Sequence, residues 1–233
     1  PLFEESQGKP KALIPIGDKT MLEWVVNAIQ GSHYVDQVIV VGIDEATAAS
    51  ANLHFRRPVH YLADQGSLIA NMRYGTAFIA ATWPDAQVVL GSSADIPTIT
   101  NDIVNAFISS CEPWDAAVYY NFVTKDTMEA RFPGSNRTYT HLADIDVAGG
   151  DLSMARIGIL EENEALVEAA ANARKQPWRV AQLVGPVFLL RFLLRRVTLN
   201  DIEHTAARLV GKPVKVLLSP HAELAMDADK PGQ

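Results

Sequence analysis

The chain has 233 residues, 48% apolar and 20% charged, with a formal net charge of −7. That length can bury the core of one large α/β domain, and the four Trp and balanced hydropathy exclude a disordered chain. The acidic balance argues against duplex nucleic acid, and the single cysteine, Cys111, excludes an internal disulfide or a Cys-based zinc centre. A reducing, cytoplasmic setting is the natural expectation. Residues 1–5 are neither a basic nor an apolar leader, and the greasy stretch 183–197 is cut by Arg191, Arg195 and Arg196. It falls short of the ~20 apolar residues that span a bilayer.

The first helix is predicted from Met21, Leu22, Val25, Val26 and Ile29, one apolar stripe behind Thr20. Thr20 is a plausible N-cap with Glu23 three residues on. Val38-Ile39-Val40-Val41 is a β-branched run of the kind buried on both faces. A second helix carries Leu68, Met72 and Ala80, a strand covers Val88-Val89-Leu90, and a third helix follows Thr100 with Ile103, Val104 and Phe107. Ala116-Ala117-Val118-Tyr119 and residues 214–218 read as further strands. Alternation of this kind predicts a three-layer α/β/α fold on a mostly parallel sheet. Residues 131–156, rich in turn formers and polar β-formers, are expected to form a β-ribbon insertion. Residues 161–209 are expected to be helical, with breaks at Pro177 and Pro186.

Five stretches could carry chemistry. Lys11, in Lys9-Pro10-Lys11-Ala12-Leu13-Ile14-Pro15, lies in a loop leading into the first helix, where an ammonium can hold phosphate. Alone it reads better as a solvated basic loop. Asp95, in Ser92-Ser93-Ala94-Asp95-Ile96-Pro97, follows a predicted strand at its carboxyl end, where ligands of open α/β sheets bind. One carboxylate there can hold Mg²⁺ and leave the other positions to water and phosphate, or the residue is an ordinary capping or turn Asp. Asp227-Ala228-Asp229 offers further carboxylates, or a solvated acidic tail. Gly66-Ser67 opens the second helix, with room for a flat base or an ordinary cap. Gly149-Gly150 reads as a turn unless something approaches it closely.

Their order along the chain is more specific than any one of them. Pro10-Lys11-Ala12-Leu13-Ile14-Pro15 with Met21-Leu22, then Asp95-Ile96-Pro97, then Asp227-Ala228-Asp229-Lys230-Pro231 resembles the MobA-like NTP transferases, nucleotidyltransferases of GT-A-like fold. The resemblance implies transfer of a nucleotide monophosphate from an NTP to a small acceptor, with release of pyrophosphate. It implies Lys11 and Asp95 as catalytic groups, and Lys11, Gly66, Ser67 and Asp95 around the nucleotide. Asp95 and Asp227 are implied as Mg²⁺ ligands, and Arg137, Gly149 and Gly150 as acceptor contacts. The partners expected are an NTP and a small-molecule acceptor, with no nucleic acid. The basic stretch 174–208 is a candidate contact to a second copy or a membrane surface, or plain amphipathic structure. The family's opening strand and G-G-x-G-x-R loop are not in this sequence, and are expected upstream of Pro1 in a single domain. A non-catalytic nucleotide or sugar-nucleotide binder is the alternative. A glycosyltransferase fits less well, because Ser93-Ala94-Asp95 offers one carboxylate where an Asp-x-Asp pair is wanted.

Overall fold

A computed structural model of the chain describes residues 10–173 and 183–229. After a 3₁₀ turn over Lys11–Leu13 come a short hairpin, β1 (Pro15–Ile16) with β2 (Lys19–Thr20), and helix α1 (Met21–Gln30). Thr20 caps α1 as its sequence predicts. Its hydroxyl accepts from the Glu23 amide, and Glu23 accepts from the Thr20 amide at 2.8 Å. Glu23 also accepts from the His54 amide at 2.8 Å, so a helix cap doubles as a tie to a distant loop.

Strand β3 (Ile39–Val41), helix α2 (Glu45–Ser50) and strand β4 (His60–Leu62) form a unit in which β3 and β4 pair in parallel. Helix α3 (Leu68–Thr82), strand β5 (Val88–Ser92) and helix α4 (Asn101–Ser110), capped by Thr100, follow. Strand β6 (Val118–Thr124) leads to helix α5 (Lys125–Arg131), then β7 (Thr140–His141) and β8 (Asp146–Arg156). Helices α6 (Ile159–Glu162), α7 (Glu164–Ala173), α8 (Pro186–Leu193) and α9 (Leu199–Val210) precede β9 (Val214–Ser219) and a 3₁₀ turn at Ala222–Ala225.

The sheet runs β5-β8-β6-β9, with β7 on the side of β8. β6 and β9 are parallel, and β5 points the same way because both β5 and β6 are antiparallel to β8. The expected α/β class with parallel β-strands therefore holds, with one reversed strand in the middle. The stretch expected as a ribbon, 131–156, is a β7–β8 hairpin whose second strand runs on into the sheet between β5 and β6. Its burial alternates almost residue by residue: Val147, Ala148, Leu152 and Met154 are buried. Those of them in the main core, Ala148, Leu152 and Met154, join Val25 and Ile29 of α1 and Ile103, Val104 and Phe107 of α4 there. A second cluster, Leu13, Leu22, Val26, Val40, Ile43 and Ala48, fastens the 3₁₀ turn to α1 and β3. Burial on this scale, at about 25 cal/mol per Å², is the dominant favourable term.

In the C-terminal helical region, Arg191 forks onto Asp201 at 2.9 and 2.7 Å, and Arg208 donates to the Val184 carbonyl at 3.2 Å. Two side chains of the basic stretch, Arg191 and Arg208, are therefore engaged within the protein, as the plain amphipathic reading has it. Arg174, Lys175 and Arg179 lie outside the described residues. Among the described residues no helix is long and apolar enough to cross a membrane.

Candidate functional site

The site is built on an irregularity in the sheet. Tyr120 pairs with Ser153 and Phe122 with Gly149, so a single residue of β6, Asn121, faces three residues of β8, from Gly150 to Leu152. The ladder bulges there, a device that re-aims side chains beside active sites. Asn121 fills the bulge. It is fully buried, its Nδ2 donates to the Leu152 carbonyl, and its Oδ1 sits where a Gly150 side chain would be. A Cβ on Gly150 would meet that oxygen at 1.7 Å, and one on Gly149 would meet the Tyr120 hydroxyl at 2.5 Å. The two glycines are thus strand-interior positions that make room for Tyr120 and Asn121, and not a turn.

The bulge sets the position of Asp151, whose carbonyl accepts from the Ser93 amide at 3.0 Å just past the carboxyl end of β5. That bond holds Ser93-Ala94-Asp95 against β8. The Ser93 hydroxyl donates to Asp95, and the Asp95 carbonyl accepts from the Ala228 amide at 2.8 Å. The residues on either side of Ala228, Asp227 and Asp229, are thereby delivered to the same place. Carboxylate oxygens of Asp95, Asp227 and Asp229 lie within 4.8 Å of one another.

Two cations answer this charge. Lys11, presented by the turn that Leu13 anchors in the second core, donates to Asp95 Oδ2 at 2.6 Å and to Asp229. Burial works against its ammonium, but the hydrogen bonds to Asp229 and Asp95 outweigh that and raise its pKa above the ordinary lysine value. The same bond from Lys11 holds Asp229 below the usual carboxylate range. Arg137, on the loop before β7, pairs with Asp227. That loop is fixed by Glu129 of α5, which accepts from the Tyr139 hydroxyl at 2.9 Å and the Gly134 amide at 3.1 Å.

Asp151 stands beside the cluster with its Oδ2 buried and unpartnered, as is Arg137 Nε. Burial first, then the charge of Asp95, push the Asp151 carboxyl up to about 6, against the pull of Arg137. An unpaired buried polar atom is rare in a folded protein, and two beside one cluster of charge make it a candidate functional position.

Of the residues singled out from the sequence, the structure brings together Lys11, Asp95, Arg137 and Asp227, just past the carboxyl end of β5. Gly149 and Gly150 adjoin them through Asp151. Gly66 and Ser67 lie after β4, exposed. Gly66 has a φ of +81° with open space around it, and Ser67 caps α3 by accepting from the Ala70 amide at 3.2 Å. Among the described residues no hydrogen bond or ion pair joins them to the acidic cluster. Sequence reasoning offered Asp227 and Asp229 together as carboxylates but assigned only Asp227 to the ion, and it passed over Asn121. The i, i+2 spacing was the available signal for Asp229, while Asn121 gave none.

Comparison with known proteins places the chain in a family. A family model described as MobA-like NTP transferase domain matches residues 6–156. The 2-C-methyl-D-erythritol 4-phosphate cytidylyltransferase of Saccharopolyspora erythraea is 31% identical over 105 residues, 42% of this chain and 47% of that protein. The chain therefore spans about half the length of this curated relative. The solved structure of a hypothetical transferase from Thermus thermophilus superposes with a TM-score of 0.81 at 29% identity, covering 97% of this chain and 91% of that one. The 2-C-methyl-D-erythritol 4-phosphate cytidylyltransferase of Thermus thermophilus shares the fold, with a TM-score of 0.53 at 14% identity over 96% and 89% of the two chains.

Proposed function

Because the chain belongs to the MobA-like NTP transferase family, shown by the match over residues 6–156, we propose that it is a nucleotidyltransferase. In this reading it moves a nucleotide monophosphate from an NTP to a small acceptor bearing a phosphate or hydroxyl oxygen. The observation that carries it is the convergence of Lys11, Asp95, Asp227 and Asp229 at the carboxyl edge of the sheet. The acceptor oxygen attacks the α-phosphorus, a P–O bond forms there, and the bond to the β-phosphate oxygen breaks to release pyrophosphate. Such a transfer depends on in-line positioning and on neutralising charge, more than on a dedicated base.

The donor set suits Mg²⁺, a hard cation that takes carboxylate oxygens and keeps waters and substrate phosphates in its other positions. Three carboxylates against two cations leave the cluster negative, and a fourth carboxyl, Asp151, stands beside it. Asp95, Asp227 and Asp229 would hold the ion, which when bound draws charge from the phosphate oxygens. Lys11, an ammonium on a flexible stem, carries the complementary charge on the phosphate side. Arg137 holds Asp227 in place, and Asp95 is oriented by the Ser93 hydroxyl and the Ala228 amide. Gly66 and Ser67, with open space over Gly66, are assigned to the nucleobase, and the loop of Arg137 with Gly149 and Gly150 to the acceptor side. The cytidylyltransferases among the relatives favour CTP as the first nucleotide to try.

The test is thermal melting with each of the four NTPs, with and without Mg²⁺. Occupancy at 100 times Kd stabilises by about 2.7 kcal/mol. One NTP is expected to shift the melt only with Mg²⁺ present, and Asp95→Asn is expected to remove that shift with little change in the unliganded melt. A shift that survives the substitution would refute the assignment of Asp95.

A further inference from the structure

Lys11 lies where a cation would lie. Its ammonium is bonded to Asp95 at 2.6 Å and to Asp229, two of the three carboxylates whose oxygens gather within 4.8 Å. We propose that Lys11 is an internal competitor for the divalent-cation site, so that the nucleotide-free protein binds the ion weakly until polyphosphate draws the ammonium away. The inference rests on the reading of Asp95, Asp227 and Asp229 as a cation site.

Three features support it. A small divalent ion needs oxygens at about 2.0–2.1 Å, and Asp95 and Asp229 cannot present the same lone pairs to the ion and to Lys11. Charge points the same way. With Lys11 and Arg137 both engaged, three carboxylates face two cations. With Lys11 withdrawn, the cluster gains one further negative charge, which favours a divalent ion. The two cations also differ in freedom. The Arg137 side chain is 15% exposed and its partner Asp227 18%, whereas Lys11 is 33% exposed and Asp229 57%. Lys11 is therefore the partner that can leave, on a flexible stem, towards an anion arriving from solvent. By linkage, whatever factor polyphosphate contributes to cation affinity by removing Lys11, the cation contributes equally to polyphosphate affinity.

Mn²⁺ is the probe, titrated into the nucleotide-free chain and followed by the electron paramagnetic resonance of the free ion. Lys11→Met keeps the aliphatic stem and removes the competitor. It is expected to tighten Mn²⁺ binding by about 10-fold or more over wild type, about 1.4 kcal/mol. Adding Asp95→Asn to Lys11→Met is expected to abolish the gain. Equal or weaker Mn²⁺ binding by Lys11→Met, with Asp95→Asn still lowering affinity, would overturn the competition and leave the cation site standing. Mn²⁺ binding indifferent to Asp95 in both backgrounds would overturn the cation site itself. Circular dichroism establishes that each variant is folded. If Lys11→Met is not, Lys11→Gln is titrated in its place, with the same outcomes.

Discussion

Gly150→Ala is the sharpest probe of how the site is held. The new Cβ would lie 1.7 Å from Asn121 Oδ1, 2.4 Å from its Cγ and 2.8 Å from its Nδ2, against a side chain with no exposed surface. Asn121 cannot swing into solvent, so either its amide rotates off the Leu152 carbonyl or the β8 bulge opens. Overpacking of a close-packed interior costs about 1–3 kcal/mol, and stranding the buried amide and carbonyl costs about 1–3 kcal/mol more. The expected loss is about 2–6 kcal/mol, a large share of the roughly 5–15 kcal/mol typical of a domain. For a chain of this size that lowers Tm by about 5–20 °C. Urea unfolding followed by Trp fluorescence measures the loss. The double variant Asn121→Ala/Gly150→Ala should recover part of it, because the clash and the stranded amide vanish together, giving a coupling energy of about 1–3 kcal/mol. A single variant costing under about 1 kcal/mol, or strict additivity in the double, would refute the packing argument.

Gly149→Ala should be far milder, below about 1 kcal/mol by the same urea titration, although its Cβ would lie 2.5 Å from the Tyr120 hydroxyl. That hydroxyl ends a side chain 37% exposed, which can move aside. Asp201 gives a pH signature. The Thr198 amide, then Arg191, hold its carboxyl down at about 2 from an ordinary 3.8. A depressed folded-state pKa means this stabilisation is whole above pH ~4 and is lost as pH falls towards about 2. Melting temperatures of Asp201→Asn should therefore fall less steeply than wild type across that window, and parallel curves would remove Asp201 from the acid response. Cys111 is fully buried, its thiol is pushed up to about 12 by burial, and its Sγ contacts the Phe107 carbonyl at 3.3 Å. A thiol reagent at about pH 8 is expected to modify it only after unfolding, and fast labelling of the native protein would contradict its placement.

What could be read from the sequence was local or periodic. Thr20 with Glu23 and Thr100 before Ile103 announce helix starts because a cap is satisfied within four residues. The run ending at Val41 announces a strand because a parallel strand covered on both faces needs no polar alternation. β8 escaped the same reading for a physical reason. Its Gly149-Gly150-Asp151 stretch lacks strand propensity, since those residues answer Tyr120 and Asn121 on the neighbouring strand and not their own chain neighbours. A strand can carry two glycines and a buried carboxyl in the middle of a sheet only if its neighbour supplies the missing volume and hydrogen bonds. That exchange, between strands far apart in the chain, leaves no periodic trace.

The acidic cluster sits at the same limit. Lys11 and Asp229 are separated by 218 positions and Lys11 and Asp95 by 84, so neither pairing follows from composition or spacing. The family pattern supplied the positions of Lys11, Asp95 and Asp227, but not what orders them. That order comes from a relay of main-chain bonds, Asp151 carbonyl to Ser93 amide and Asp95 carbonyl to Ala228 amide. Each link is sequence-independent, so side-chain identity could not reveal it. The relay begins at the bulge that Asn121 and Gly150 maintain. A volume error at Gly150 should therefore reach the acidic cluster through backbone displacement, even though Gly150 makes no ionic contact there.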